Sequence, residues 1–418
     1  MEPVFQITVA GGGNLCHGTI AVIGHNNPKY KINVLSRRPE VFDDKIVAHT
    51  EKSAWEHKGE MVGKINKCSK DAKDVIPGSQ IVLICSPAQT KVDILKQIQP
   101  YLQEGAYVGS IFGQGGFDLQ AQYALGDDIK NKNLTIFCLQ YVPFLCKVVN
   151  YGKDVNIIGP KKHLYVTSYP VERVHEVCSL MSLAYFIPSV PMPNFLSLTL
   201  CPSNQIIHPG RVYGFFKDWD GKTPFNAKDM PLLYEGLDQA SADEIQYLDD
   251  EIQAIKKALL KRYPTLNLDQ VMPIKERVES MYDGQISDKS SLKRVFNTNL
   301  GYSRVPFPMI PVDKTGEKVT LNLNARFFWE DVPFGLCILK DIGELVEVKT
   351  PHIDKQIIFH QKFMPVKYVD EKTGAFLDSQ AMKESGAPRA YNIRTAEQLV
   401  SMSLTSDKKS FPLFRAKL

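Results

Sequence analysis

The sequence predicts an α/β fold, with a mainly parallel sheet in its first half and a mostly α-helical second half. Three observations predict it. Short runs rich in Ile, Val and Leu alternate with helix-like stretches until the texture changes near Pro188. A glycine turn, Gly11-Gly12-Gly13, follows the first of those runs directly. From Asn194 onward, apolar residues recur at helical spacing instead. At 418 residues the chain has room for two domains, expected at 1–193 and 194–418.

Taken in order, Phe5-Gln-Ile-Thr-Val-Ala10 reads as a buried strand and Lys31-Ile-Asn-Val-Leu35 as a second. Gln80-Ile-Val-Leu-Ile-Cys85 is the third, entered through Pro77-Gly78 and left through Ser86-Pro87. Tyr107-Val-Gly-Ser-Ile-Phe112 and Leu134-Thr-Ile-Phe-Cys138 continue the series. Strands separated by helical connections require a mainly parallel sheet covered on both faces. Residues 189–194 are expected to form a hinge. Within 242–260, Ile245, Leu248, Ile252, Ile255 and Leu259 share one stripe, with acids and lysines opposite. The helical reading extends to about residue 300, and a polar segment at 311–320 interrupts it.

Composition excludes several classes. Hydrophobic residues make up 44% and charged residues 23%, as in an ordinary globular protein and unlike a disordered chain. The 27 Gly and 26 Pro show no period, which excludes collagen. A net charge of +4, spread along the chain, gives no reason to invoke nucleic acid or a lipid surface. The eight cysteines form no CxxC pair and mostly sit in apolar runs. They are expected as buried reduced thiols, not as disulfides or a zinc site, and no metal is expected. The first residues lack a basic region followed by an apolar stretch, so no signal peptide is expected. No apolar run approaches the ~20 residues of a membrane span. A soluble, cytoplasmic protein is the expectation.

The turn Gly11-Gly12-Gly13-Asn14-Leu15-Cys16 joins a strand to a helical stretch, the arrangement a Rossmann-type dinucleotide fold needs. Gly11 permits the tight turn, and Gly13 lets the backbone approach a pyrophosphate held at the helix N-terminus. The third small residue, which lets helix and strand pack closely, is Cys16. At the end of the second strand an acid would bind the ribose hydroxyl of NAD, whereas an arginine would accept the extra phosphate of NADP. Ser36-Arg37-Arg38 stands there, and charge alone favours NADP. Arginines that stack on adenine or face solvent are the competing reading.

His208, in Asn204-Gln-Ile-Ile-His208-Pro209-Gly210-Arg211, has the most suggestive context of the nine histidines. Pro209 removes a backbone donor, so a local kink exposing the ring is expected. Asp331 lies in Arg326-Phe-Phe-Trp-Glu330-Asp331-Val-Pro-Phe-Gly335, between an aromatic cluster and a turn. An Asp buried against a histidine would fix its tautomer and stabilise the imidazolium. A satisfied core histidine and a solvated capping acid are the bland alternatives.

Together these segments resemble the opine dehydrogenases, the family that includes octopine, tauropine, strombine and alanopine dehydrogenases. The similarity lies in Gly11-Gly-Gly-Asn14 with His17, in Ile207-His208-Pro209, and in Trp219-Asp-Gly-Lys222. Pro231-Leu-Leu-Tyr234-Glu-Gly236-Leu-Asp238-Gln-Ala240-Ser-Ala242-Asp243 is its most specific stretch. Arg326 with Glu330-Asp331-Val-Pro333-Phe-Gly335, and Pro388-Arg-Ala-Tyr391, extend it over nearly the whole chain.

The resemblance implies reductive condensation of a 2-oxo acid, typically pyruvate, with the amine of an amino acid. NADH would deliver hydride to the carbon of the resulting imine or carbinolamine, regenerating NAD in anaerobic glycolysis. It implies His208 as general acid/base with Asp331 orienting it. Cofactor contacts are expected from Gly11, Gly13, Asn14 and Arg37, and the resemblance adds Ser86 near the nicotinamide, Arg326 at the pyrophosphate or an anionic substrate group, and an oxo-acid pocket at Gln114. Gln140 falls where an arginine-using relative would present a carboxylate, so taurine, glycine or alanine is expected over arginine. The family implies NAD(H) despite Arg37 and Arg38, with NADP the alternative, and a monomer. The competing enzyme reading is an NADP-linked reductase of 2-oxo or hydroxy acids that needs no amine. A nucleotide-sensing protein without turnover is the non-enzymatic one.

Overall fold

The computed structural model describes residues 5–50, 59–401 and 403. The residues 1–4, on which the signal-peptide expectation partly rests, lie outside that set. The chain divides into two compact units: residues 1–199, rejoined from Val400, and Leu200–Leu399.

Among the described residues, twelve strands build the first unit: β1 (Gln6–Gly11), β2 (Lys31–Leu35), β3 (Lys45–Thr50), β4 (Gly59–Lys64), β5 (Lys67–Ser69), β6 (Ile81–Cys85), β7 (Tyr107–Ser110), β8 (Thr135–Leu139), β9 (Phe144–Asn150), β10 (Asp154–Pro160), β11 (Leu164–Tyr169) and β12 (Ser189–Pro191). The main sheet runs β12-β11-β8-β7-β6-β1-β2-β5. β8 and β11 pair antiparallel, and every other neighbouring pair in it is parallel. The central order β5-β2-β1-β6-β7-β8 is that of a doubly wound dinucleotide fold. The predicted α/β class holds, and all five expected strands are present within a residue or two of their expected ends.

These strands are apolar throughout because both faces are covered. Ile81 and Leu83 of β6 enter one core and Val82 and Ile84 the other, the period-two signature of a doubly covered strand. The helices Asn14–Asn26 and Val174–Tyr185 fill the first core, Lys91–Ile98 and Phe117–Leu125 the second.

A second sheet, β4-β3-β10-β9, closes over the helix Asn14–Asn26. The approach is too close for side chains: a Cβ on Gly63 would lie 2.0 Å from the Ile20 carbonyl oxygen. The segment 189–194, expected as a hinge, opens instead with edge strand β12, because Ser189 and Val190 pair with β11.

The second unit is helical around Gln239–Arg262, whose predicted stripe is fully buried at Ile245, Leu248, Ile252, Ile255 and Leu259. The helix Asn204–Phe216 crosses it at two glycines. A Cβ on Gly210 would lie 2.7 Å from Ile245 Cγ1, and one on Gly214 2.5 Å from Ser241 Cα. The polar interruption at 311–320 is a hairpin: Met309–Pro311 pairs antiparallel with Lys318–Leu321, which Phe225–Asn226 extends.

None of the eight cysteines forms a disulfide, and six of them are buried. Burial pushes the Cys85 and Cys146 thiols up to about 12, so they are held as neutral apolar groups. No helix among the described residues is long and apolar enough to cross a membrane. Among them, no cluster of His, Cys, Asp and Glu is arranged to hold a metal ion.

Candidate active site

The glycine turn is shaped by what lies against it. Gly11 sits at φ +151°, and a Cβ there would lie 2.5 Å from the Cys85 carbonyl oxygen, so the position requires glycine. Gly13 faces open space, leaving its backbone accessible at the start of the helix Asn14–Asn26. Gly11 is in register with Cys85 of β6, which places Ser86 beside the turn. The Ser86 hydroxyl is buried and has no partner among the described residues.

His17 pins this turn from behind. Its Nδ1–H donates to the Gly13 carbonyl at 2.9 Å, and its Nε2 accepts the Gly152 N–H at 2.8 Å. The two bonds require a neutral ring, and burial lowers its pKa in the same direction. Asn14, expected at the cofactor, has its carboxamide oxygen engaged by the Val148 N–H at 2.9 Å. Arg37 is exposed. Arg38 lies with its guanidinium carbon 4.3 Å from the Tyr151 ring centroid, so it is committed to a cation–π contact.

Gln114 and Gln140 belong to the same unit and are both buried. Gln114 rides a turn in which Gly115 and Gly116 take positive φ, and the Gly113 N–H donates to the Leu139 carbonyl at the end of β8. That bond ties the turn to the strand end that leads into Gln140.

The second unit brings His208 and Asp331 together. His208 Nδ1 lies 2.8 Å from Asp331 Oδ2, and both residues are less than a tenth exposed. Pro209 does not expose the ring as expected. The helix Asn204–Phe216 runs through it, and His208 is 7% exposed because neighbouring elements cover it. Phe327 stacks on the imidazole at 3.8 Å between centroids and 18° between planes. Tyr234, quoted above only within a motif, places its hydroxyl 3.0 Å from Nε2.

Two packing devices set this geometry. The wide turn Val332–Leu336, in which the Leu336 N–H reaches the Asp331 carbonyl five residues back, presses Gly335 against Gln205. Arg211, its side chain fully buried, holds the loop that carries Tyr234. It donates to the Leu233 and Gly236 carbonyls at 2.9 and 2.8 Å and to Asp238 at 2.6 Å.

Electrostatics follow from burial. Burial raises the Asp331 carboxyl above the usual carboxylate range, and the adjacent His208 pulls it back. Arg326, expected at the cofactor, has a side chain 69% exposed and paired to the buried Glu330. A carboxylate on Nδ1 leaves Nε2 as the proton-exchanging atom, the arrangement of a general acid/base.

Fold and site thus define a protein that joins a dinucleotide-type sheet unit to a helical unit bearing a buried His–Asp pair. Residues 191–364 match the family profile described as NAD/NADP octopine/nopaline dehydrogenase, alpha-helical domain. The chain is similar to opine dehydrogenases along nearly its whole length. It is 28% identical over 413 residues to a tauropine dehydrogenase of Arabella iricolor, covering 94% of this chain and 99% of that protein. It is also 28% identical over 421 residues to an opine dehydrogenase of Haliotis discus hannai, covering 96% and 100%. An octopine dehydrogenase solved with NADH and agmatine shares the fold, with a TM-score of 0.84, 22% identity and coverage of 96% of this chain and 99% of that one.

Proposed function

We propose that this chain is an NADH-dependent opine dehydrogenase that joins pyruvate to the amine of a small amino acid. The buried His208–Asp331 pair carries the reading, because it supplies a positioned proton donor and acceptor for imine chemistry. His208 protonates the departing oxygen and accepts the proton of the amine. Asp331 holds the ring in one tautomer and stabilises it when charged.

The residues present fit a dinucleotide. Gly11 makes the tight turn, Gly13 leaves open space at the helix N-terminus, and Ser86 offers a hydroxyl beside them with no partner among the described residues. When bound, NADH supplies the hydride that reduces the C=N carbon. The engagement of Arg38 by Tyr151 supports NAD(H) over NADP(H), as does the NADH bound in the octopine dehydrogenase of like fold. Exposed Arg37 is the observation that favours NADP(H) as the alternative. Arg326 remains our assignment for a phosphate contact, and Gln114 for the oxo acid. The neutral Gln140 supports taurine, glycine or alanine over arginine as the amine. We take the enzyme to act in the cytoplasm as a monomer, regenerating NAD when oxygen is short.

NADH consumption with pyruvate and a panel of amino acids tests the reading. Turnover is expected only with both substrates present, and faster with small amines than with arginine. Oxidation with pyruvate alone would point to the carbonyl-reductase alternative. A strong preference for NADPH would overturn the coenzyme assignment.

A further inference from the structure

We propose that Tyr234 is the residue that hands the proton between His208 and the substrate. The inference rests on the function just proposed and adds a catalytic residue to it. Every hydrogen-bonding position of the His208 ring is already taken by the protein. Nδ1 faces Asp331 at 2.8 Å, Nε2 faces the Tyr234 hydroxyl at 3.0 Å, and Phe327 covers one face at 3.8 Å. The His208 side chain is 9% exposed, and the Tyr234 residue is partly buried. With Nε2 bonded to the phenol, a proton leaving the ring on that side passes through the Tyr234 hydroxyl.

Tyr234 is also held in place. Its ring stacks on Tyr302 at 4.5 Å between centroids and 29° between planes. Its loop is fixed by Arg211 and by Asn297, whose side-chain amide donates to the Glu235 carbonyl at 2.8 Å. Swinging the phenol aside would break the stack and the bond to Nε2 together. Passing a proton through it disturbs neither.

The step balances. As the amine attacks the 2-oxo carbon, the C–N bond forms and the carbonyl π pair moves to oxygen. That oxygen takes the Tyr234 hydroxyl proton while the Tyr234 oxygen takes the Nε2 proton. The imidazolium becomes neutral imidazole, Asp331 stays ionised, and the phenol is regenerated. The nitrogen's surplus proton returns along the same path, through the Tyr234 hydroxyl to Nε2. Because both transfers at the phenol occur together, no tyrosinate accumulates in this buried setting.

The test is Tyr234→Phe, which keeps the ring and its stack and removes the hydroxyl alone. A relay predicts a fall in kcat of about 10²–10⁴ with KM for both substrates little changed. Combined with His208→Gln, the loss should be far from additive. Installing 3-fluorotyrosine at position 234, which makes the phenol more acidic, should shift the pH profile of kcat. Retained or increased turnover in Tyr234→Phe would overturn the relay, and so would a pH profile indifferent to the fluorine. The ¹⁵N resonance of His208 Nε2 separates this failure from failure of the function itself. It should move in Tyr234→Phe even if the wild-type chain condenses no oxo acid with any amine, and an unmoved resonance would sink the hydrogen bond on which the relay depends.

Discussion

At the scale of single residues, the site turns on one carboxylate. Asp331→Asn keeps size and burial but replaces the acceptor facing Nδ1 with an amide. The imidazolium then loses its counter-charge, and the tautomer is no longer fixed. We expect kcat to fall by about 10²–10⁴ with coenzyme binding and melting temperature nearly unchanged. Full activity in this variant and in His208→Ala would dismiss the pair. Their neighbours, Pro209 beside the histidine and Glu330 beside the aspartate, drew attention to both residues in the sequence, but pairing them rested on the resemblance to the opine dehydrogenases. Tyr234 was not singled out. A tyrosine in a loop has no periodicity to mark it, and its place against Nε2 depends on the guanidinium of Arg211 reaching back to that loop. The exposure expected from Pro209 failed because a break in one helix cannot uncover a ring that Phe327 and Tyr234 cover from elsewhere.

At the scale of elements, glycines decide where helices meet. The crossing of Asn204–Phe216 over Gln239–Arg262 leaves no room at Gly214, where a Cβ would lie 2.5 Å from Ser241 Cα and 2.6 Å from its nitrogen. Alanine is the better helix former by ~1 kcal/mol, but overpacking against backbone costs about 1–3 kcal/mol. We expect the steric cost to win, so Gly214→Ala should lower the urea midpoint and loosen the His208 helix. A midpoint at or above wild type would show that the two helices separate freely. The main-sheet strands were legible because burial on both faces leaves unbroken apolar runs such as Ile81–Cys85. β3, β4, β9 and β10 were not. Only one face of each is covered, as the alternating burial of Lys45–Thr50 shows, and single-faced strands of six or seven residues blend into polar chain. The 311–320 hairpin was missed for the same reason, since its turn residues outnumber its buried ones.

At the scale of the whole molecule, buried histidines tie stability to pH. His360 is fully buried, its Nδ1–H donates to the Gln356 carbonyl at 2.8 Å, and burial pushes its pKa from 6.5 down to about 4. The folded state favours the neutral ring. Its contribution is therefore complete above pH 6.5 and drains away as pH falls toward 4, by up to ~3 kcal/mol. Glu251, pushed up to about 7 by burial, works in the opposite sense between its ordinary value of 4.5 and 7. The difference between wild type and His360→Gln isolates the histidine. The variant should lose less stability than wild type between pH 7 and pH 4, and parallel curves would refute the assignment. The two-part character of the chain was readable from the switch in apolar period near Pro188. The role of residues 189–191 was not, because a three-residue edge strand has too few positions to declare a period.

The imidazole, its acid and its phenol all come from Leu200–Leu399. On the proposed function, the groups that would move protons are therefore in place once that one unit has folded. What the proposed chemistry would still need from elsewhere is a carbon atom in the right oxidation state, not a working acid.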